Sequence, residues 1–238
     1  MGQEFLFIPS RRLSGVLIDL LFPQRCIGCQ REGQLLCSAC SSAASHLRPP
    51  ICQHCGTAWS GSSLCYACQT HPLKLDGLRS VFYFEGVIRQ SIHHLKYDNL
   101  RALAVPLAVL MREYLEAVPL PGEILVPVPL HRRRLKERGY NQSALLAHEL
   151  GRLVKLSVLE SSLIRQRDTP PQARTTSAEE RRRNVARAFI CVDHRLKGEK
   201  VILIDDVATT GATLEAAAEA LRNAGISSVW ALTLAREI

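Results

Sequence analysis

Asp205 and Asp206 stand side by side at the end of the branched apolar run VILI, and the chain then passes through Val207 into ATTGAT. Adjacent carboxylates repel each other, and burying either one without a partner is expensive. A bound ligand would repay that arrangement. In sheets flanked by helices, ligands bind outside the C-terminal strand ends, where loops meet helix N-termini. Small residues let backbone N–H groups close on a phosphate, and the helix N-terminus adds partial positive charge. Ala208, Thr209, Thr210, Gly211, Ala212 and Thr213 therefore suit a phosphate, with threonine hydroxyls as further donors. The carboxylates suit vicinal hydroxyls or waters on Mg²⁺, so a sugar phosphate fits the whole stretch. Capping the following helix would explain Asp205 but not Asp206. Neither a Walker A loop nor a G-x-G-x-x-G fingerprint occurs.

The cysteines carry a second chemistry. Eight of nine fall into four C-x-x-C pairs: Cys26/Cys29, Cys37/Cys40, Cys52/Cys55 and Cys65/Cys68. Each knuckle turns two sulfurs toward one point, and two knuckles make a tetrahedral thiolate set suited to structural Zn²⁺. An isolated pair would be ambiguous between metal and redox use, whereas four pairs within 43 residues point to metal. Pairing in chain order gives two sites; crossing first with third and second with fourth is sterically open as well. An iron–sulfur cluster also meets the spacing. Disulfides are disfavoured because nothing indicates export and the cytosol keeps thiols reduced. His54 and His71 are not needed as ligands, and Cys191 in AFICV reads as packing. The module has too few large apolar residues to fold unaided, so metal must supply its folding free energy.

Charge is the third signal. The chain has 238 residues and a net charge of +8, and residues 131–187 alone hold 14 Lys and Arg against 6 Asp and Glu. The remainder is balanced, so one segment is built to meet an anion, either a polyphosphate ligand or a nucleic acid. A solvated surface would spread the charge more evenly. Arg181 to Arg183 also read as a helix face paired with Glu179 and Glu180.

Residues 1–20 read as an amphipathic lead-in helix, residues 21–72 as the metal module, and residues 73–238 as one larger domain. RSVFYF, EILVPVPL, RAFICV, VILIDD and SSVWALTLA read as strands. VIRQSIHHLKY, LRALAVPLAVLMREYLEAV, NQSALLAHELGRLVKL and TLEAAAEALRNAG read as helices, the second started or kinked at Pro106. The stretch RQRDTPPQARTTSAEERRRN has no apolar face and reads as a mobile loop or weak helix. Alternating strands and helices imply an α/β domain with a mainly parallel sheet. No apolar run approaches the roughly 20 residues that span a bilayer. The piece GVLIDLLFP is short, carries Asp19 and lacks a cleavage site. A cytoplasmic protein without a membrane span is expected.

VILIDDVATTGAT resembles the signature of type I phosphoribosyltransferases. Together with LVPVPLHRRRLKERGYNQ, RQRDTPPQARTTSAEERRRNVARAF and the four knuckles, the chain resembles the ComF-type competence proteins, which join a double zinc ribbon to that fold. The resemblance implies binding of phosphoribosyl pyrophosphate with Mg²⁺ and a part in DNA uptake. It implies that Asp205 and Asp206 address the ribose hydroxyls and that residues 208–213 surround the 5′-phosphate. His131, Arg132 and Arg133 then occupy the place of the pyrophosphate loop. Arg165, Arg174 and Arg183 lie where the family's closing loop runs, and Lys96 in LKYDN is a further candidate for the same anion.

One position departs from the hypoxanthine-type members. Thr209 stands where they carry an Asp able to act as general base, and a threonine hydroxyl cannot do that near neutral pH. Phosphoribosyl transfer to an acceptor is therefore one reading. The other is a non-catalytic competence factor that uses its ribbons and basic segment on single-stranded DNA and keeps the ribose site as a sensor. Aromatic residues are only 5% of the chain, which weakens a base-stacking platform; Trp59 and Tyr66 are its best candidates.

Overall fold

The computed structural model describes residues 23–167 and 188–237; the expected lead-in helix lies outside them. Strands β1 (Gly77–Tyr83), β2 (Ile124–Pro127), β3 (Ser157–Val158), β6 (Lys200–Ala208) and β7 (Ser228–Arg236) form one sheet, while β4 (Leu163–Arg165) and β5 (Phe189–Cys191) form a separate antiparallel pair. The helices are α1 (Ser38–Ser42), α2 (Tyr66–Thr70), α3 (Gly86–Tyr97), α4 (Ala104–Ala117), α5 (Arg132–Arg138), α6 (Gln142–Val154) and α7 (Ala212–Asn223).

The large sheet runs β1–β7–β6–β2–β3 with every pairing parallel. Its central strands read as unbroken apolar runs because helices cover both faces. Ile202 and Ile204 of β6 face α3, α4 and α6, through Ile92, Leu107 and Leu146. Val201 and Leu203 face the other way, onto Leu214, Ala217 and Leu221 of α7. From β2 the chain crosses over α6 outward to β3; from β6 it crosses over α7 in the opposite direction, to β7. The carboxyl ends of β2 and β6 therefore border a switch point, where such sheets open a crevice.

Several local outcomes differ from the sequence reading. β6 continues through Val207 and Ala208, because both still pair with Ala235 and Arg236 of β7. RAFICV supplies β5, which pairs with β4 and not with the main sheet. HRRRLKER, read as a loop, forms α5, with the His131 ring accepting from the Arg133 N–H as its cap. Pro106 lies in the first turn of α4, where its missing N–H does no harm.

The cysteine module is built onto the sheet. Residues 45–47 lie antiparallel along β1, with Leu47 N–H donating to Val81 O at 3.0 Å and Tyr83 N–H to Ser45 O at 2.9 Å, so that edge is covered. Gly56 has φ +69°, and a Cβ there would fall 2.3 Å from Leu78 O. Only glycine lets the third knuckle sit this close to β1. A boundary at residue 72 marks a change of chemistry but crosses a shared core, since Cys52, Cys55, Cys65 and Cys68 pack in one buried cluster with Leu73, Leu78 and Ala208.

Candidate functional site

β6 delivers its two carboxylates into the crevice in different surroundings. Asp206 is buried at 3% exposure. Its Oδ2 lies 2.8 Å from Lys96 Nζ at the last turn of α3, an ion pair, and has no further partner among the described residues. Asp205 Oδ1 accepts from Ser143 Oγ at 2.7 Å and from the Asp206 N–H at 2.9 Å. Burial, then the neighbouring Asp206 charge, push the Asp205 carboxyl up to about 7, against the pull of Ser143 and Lys96. Ser143 is in place because Asn141 caps α6: its Oδ1 accepts from Ser143 N–H at 3.1 Å and its Nδ2 donates to Val128 O at 3.0 Å. One side chain thus ties the end of β2 to the helix that touches Asp205.

The turn after β6 begins α7. Gly211 caps the helix at φ +82°, and a Cβ there would meet Leu73 Cδ1 at 3.2 Å. Thr210 Oγ1 accepts from Ala212 N–H at 3.4 Å. Ala208 and Ala212 are buried beneath, while Thr209 and Thr213 line the crevice. The opening N–H groups of a helix have no partners within it and favour an anion.

These groups surround a cleft of about 550 Å³. Of the residues singled out from sequence, Lys96, Arg165, Asp205, Asp206, Thr209 and Thr213 line it together. Arg165 is largely buried on β4, its guanidinium 5.4 Å from the Phe189 ring centroid. His131, Arg132 and Arg133 do not line the cleft; Arg133 instead donates to Glu137 at 2.9 Å. Arg134 and Arg138, one helical turn apart on α5, face it in their place. Arg174 and Arg183 lie outside the described residues. Sequence reasoning missed Ser143, Arg134 and Arg138. Four-residue spacing would have found the two arginines had HRRRLKER been read as a helix; nothing in the sequence pattern marks Ser143.

The cysteines resolve into two sets in chain order, Cys26/Cys29/Cys37/Cys40 and Cys52/Cys55/Cys65/Cys68, with all sulfurs of a set within 4.8 Å of one another. Crossed pairing is thereby excluded. The Cys29–Cys37 and Cys55–Cys65 sulfurs are each 3.6 Å apart, close to the edge of about 3.8 Å expected for a tetrahedron with Zn–S near 2.3 Å. N–H groups of Cys37 and Cys65 point at Cys26 Sγ and Cys52 Sγ, at 3.4 and 3.3 Å. Burial opposes the Cys52 thiolate, but backbone donors from Cys65, Cys55 and His54 outweigh it and bring the thiol down to about 6. Cys40, facing Cys37 and Cys29, is pushed up to about 12. Such crowding of unlike thiols is relieved when one cation takes all four sulfurs. His54 bonds Leu75 O instead, at 2.7 Å.

Comparison with known proteins agrees with this layout. The double zinc ribbon domain model matches residues 17–69, and the phosphoribosyl transferase domain model matches residues 136–237. Competence protein F of Haemophilus influenzae is 31% identical over 90% of this chain and 98% of its own length. DNA utilization protein YhgH of Escherichia coli K12 is 32% identical over 85% of this chain and 91% of its own. Among solved structures, glutamine phosphoribosylpyrophosphate amidotransferase from Bacillus subtilis overlaps 55% of this chain and 26% of its own, at 17% identity and TM-score 0.38. Matched over nearly its whole length, with a double zinc ribbon leading into a phosphoribosyltransferase-type domain, the chain belongs to the competence protein F (ComF) family.

Proposed function

We propose that the cleft binds phosphoribosyl pyrophosphate with Mg²⁺, in a protein that serves DNA uptake from the cytoplasmic side. Its ribose lies over Asp205 and Asp206, its 5′-phosphate on the turn 208–213, and its pyrophosphate toward α5. The carrying observation is the buried Asp206 carboxylate, whose Oδ2 has the Lys96 ammonium at 2.8 Å as its one partner among the described residues and so keeps acceptor capacity beside a cleft lined by the turn into α7 and by guanidinium groups. A ribose hydroxyl or a water on Mg²⁺ would satisfy it. Mg²⁺ takes oxygen ligands, usually few carboxylates plus phosphates, so this sparse donor set fits, and the ion would supply charge neutralisation on the phosphate oxygens.

Within this reading Lys96, Arg134, Arg138 and Arg165 face the charge that builds on the departing oxygens as the anomeric carbon turns oxocarbenium-like. The names of the relatives, a competence protein and a DNA utilization protein, support the assignment to DNA uptake. No helix among the described residues is long and apolar enough to cross a membrane.

Calorimetric titration tests the site. Asp205→Asn with Asp206→Asn is expected to weaken phosphoribosyl pyrophosphate binding at least about 100-fold, as loss of two charge-assisted contacts would; unchanged affinity would sink the assignment. Thr209 on the cleft wall favours a second, non-catalytic reading, because it leaves that position without a proton acceptor. In that version phosphoribosyl pyrophosphate binds, no acceptor provokes pyrophosphate release, and DNA is met by the second ribbon, where exposed Tyr66 stands edge-on to Trp59 at 4.9 Å.

A further inference from the structure

The two cysteine sets differ in how far solvent reaches them. In the second set all four residues are buried, Cys52 completely and Cys55, the least covered, at 6% exposure. They pack within the cluster of Leu73, Leu78 and Ala208. In the first set Cys26 and Cys37 are buried, but Cys40 is only half-buried and Cys29 is exposed. Burial keeps a structural cysteine inert, and exposure of a thiolate makes it reactive.

A second opening reaches the first set from the side of α3. A cavity of about 450 Å³ lies between this ribbon and the start of α3, and Cys40 forms part of its wall. The remaining walls carry short residues, among them Gly28, Ala43, Ala44 and Gly86. A Cβ at Gly28 would fall 2.8 Å from Cys40 Sγ, so glycine at this position keeps bulk off the sulfur. Solvent therefore approaches the set at Cys29 and again at Cys40.

Metal ligation holds cysteines as thiolates, and a thiolate within reach of solvent is the form that peroxides oxidise. A partner for the oxidised sulfur is already in place, since Cys37 Sγ lies 3.6 Å from Cys29 Sγ. We propose that the first cysteine set is a hydroperoxide-sensitive modification site, where Cys29 is oxidised, a Cys29–Cys37 disulfide forms and the zinc leaves. Cys29 Sγ takes one oxygen of hydrogen peroxide, the O–O bond breaks, and the other oxygen departs as hydroxide. Cys37 Sγ then attacks Cys29 Sγ, closing the S–S bond and releasing a second hydroxide. The two sulfurs together give up two electrons, the peroxide gains them, and two protons turn the hydroxides into water. Two thiolates remain, too few for a closed tetrahedral site, so the ion is lost. The inference rests on zinc occupying the first set.

The test uses full-length protein shown by metal analysis to carry two zincs, treated with hydrogen peroxide beside a colorimetric zinc chelator. One zinc should leave at least about tenfold faster than the other, because exposure governs thiol oxidation. At the end of the fast phase, alkylation after denaturation and peptide mass analysis should find Cys29 joined to Cys37. Dithiothreitol should undo that bond, and the four thiols of the second set should still be free. Cys52→Ser with Cys55→Ser should keep the fast phase, and Cys26→Ser with Cys29→Ser should remove it; if either variant fails to fold, the peptide map of the wild-type protein decides without it. Three results overturn the site while leaving zinc in both sets: release of both ions at one rate, a fast phase that survives Cys26→Ser with Cys29→Ser, or a fast phase without the Cys29–Cys37 bond. Metal analysis that finds the first set empty overturns the modification site and the zinc assignment together.

Discussion

Asp205 and Asp206 are adjacent in sequence but their charges are handled differently. Asp206 has the Lys96 ammonium 2.8 Å away. Among the described residues Asp205 accepts from a serine hydroxyl and a backbone N–H, and burial and the Asp206 charge outweigh these and the more distant Lys96 and push its carboxyl up to about 7. In the unfolded chain the same group ionises near ~3.9. Between those values the folded protein holds a proton that the unfolded chain has released, so stability falls as pH rises from about 4 to about 7, and the contribution is lost above that. Asp205→Asn keeps an acceptor for Ser143 and never ionises. The ligand-free variant should match wild type near pH 4 and melt higher at pH 8, by about 3 °C or more for a domain of this size. Thermal melts in which wild type equals or exceeds the variant at pH 8 would refute this handling of Asp205. The stability given up at neutral pH is the ordinary cost of a carboxylate kept for a ligand.

At the scale of elements, α5 decides which of the clustered arginines matter. Arg134 and Arg138 share the face turned to the cleft, while Arg133 spends its contact on Glu137 on another face. Arg134→Ala with Arg138→Ala should weaken phosphoribosyl pyrophosphate binding about 30-fold or more, whereas Arg132→Ala with Arg133→Ala should stay within about threefold, since exposed ion pairs contribute little. Equal losses in the two pairs, measured by the same titration, would return the contact to the loop. α5 also shows why part of the site was hidden in the sequence. Its single apolar residue, Leu135, is exposed, so it has no apolar stripe, and periodicity reads only helices that bury one. β6 and α7 were legible because their apolar patterns are long and both faces are covered. The extension of β6 past Asp206 was not, because pairing of Val207 and Ala208 depends on where β7 ends. β5 has the apolar pattern of a core strand, and only its partner β4 shows that it belongs to a separate sheet. Ser143 became visible once the fold brought α6 against β6.

Across the whole molecule, the two cysteine sets pack on opposite faces of the sheet. The first leans on α3, where Ile27, Leu35 and Cys40 join the cluster of Ile88 and Ile92. The second joins the other cluster, behind the phosphate turn. Two contacts tie it there: Leu73 packs on Gly211, and buried Arg236, paired with Ala208 in register, donates from Nη1 to Cys55 O at 2.7 Å. Burial pulls the Arg236 guanidinium down, and the nearby cysteine charges work against that pull, so a thiolate set and this arginine support each other. Structural zinc contributes about 10–16 kcal/mol to folding small ribbons, comparable with the roughly 5–15 kcal/mol that holds a whole domain together. Removing it from the second set should therefore loosen the wall on which the phosphate turn rests. Cys52→Ser with Cys55→Ser is expected to lose one zinc and to weaken ribose 5-phosphate binding at least about tenfold, with faster hydrogen exchange over residues 208–213. Cys26→Ser with Cys29→Ser should also lose one zinc but leave that affinity within about twofold, because distant sites act independently. Leu73→Ala, which leaves every ligand in place, should keep both zincs and still speed exchange in the turn. Equal effects of the two cysteine pairs on phosphate binding would mean that zinc supports the fold in general, and that the second ribbon has no special hold on the site.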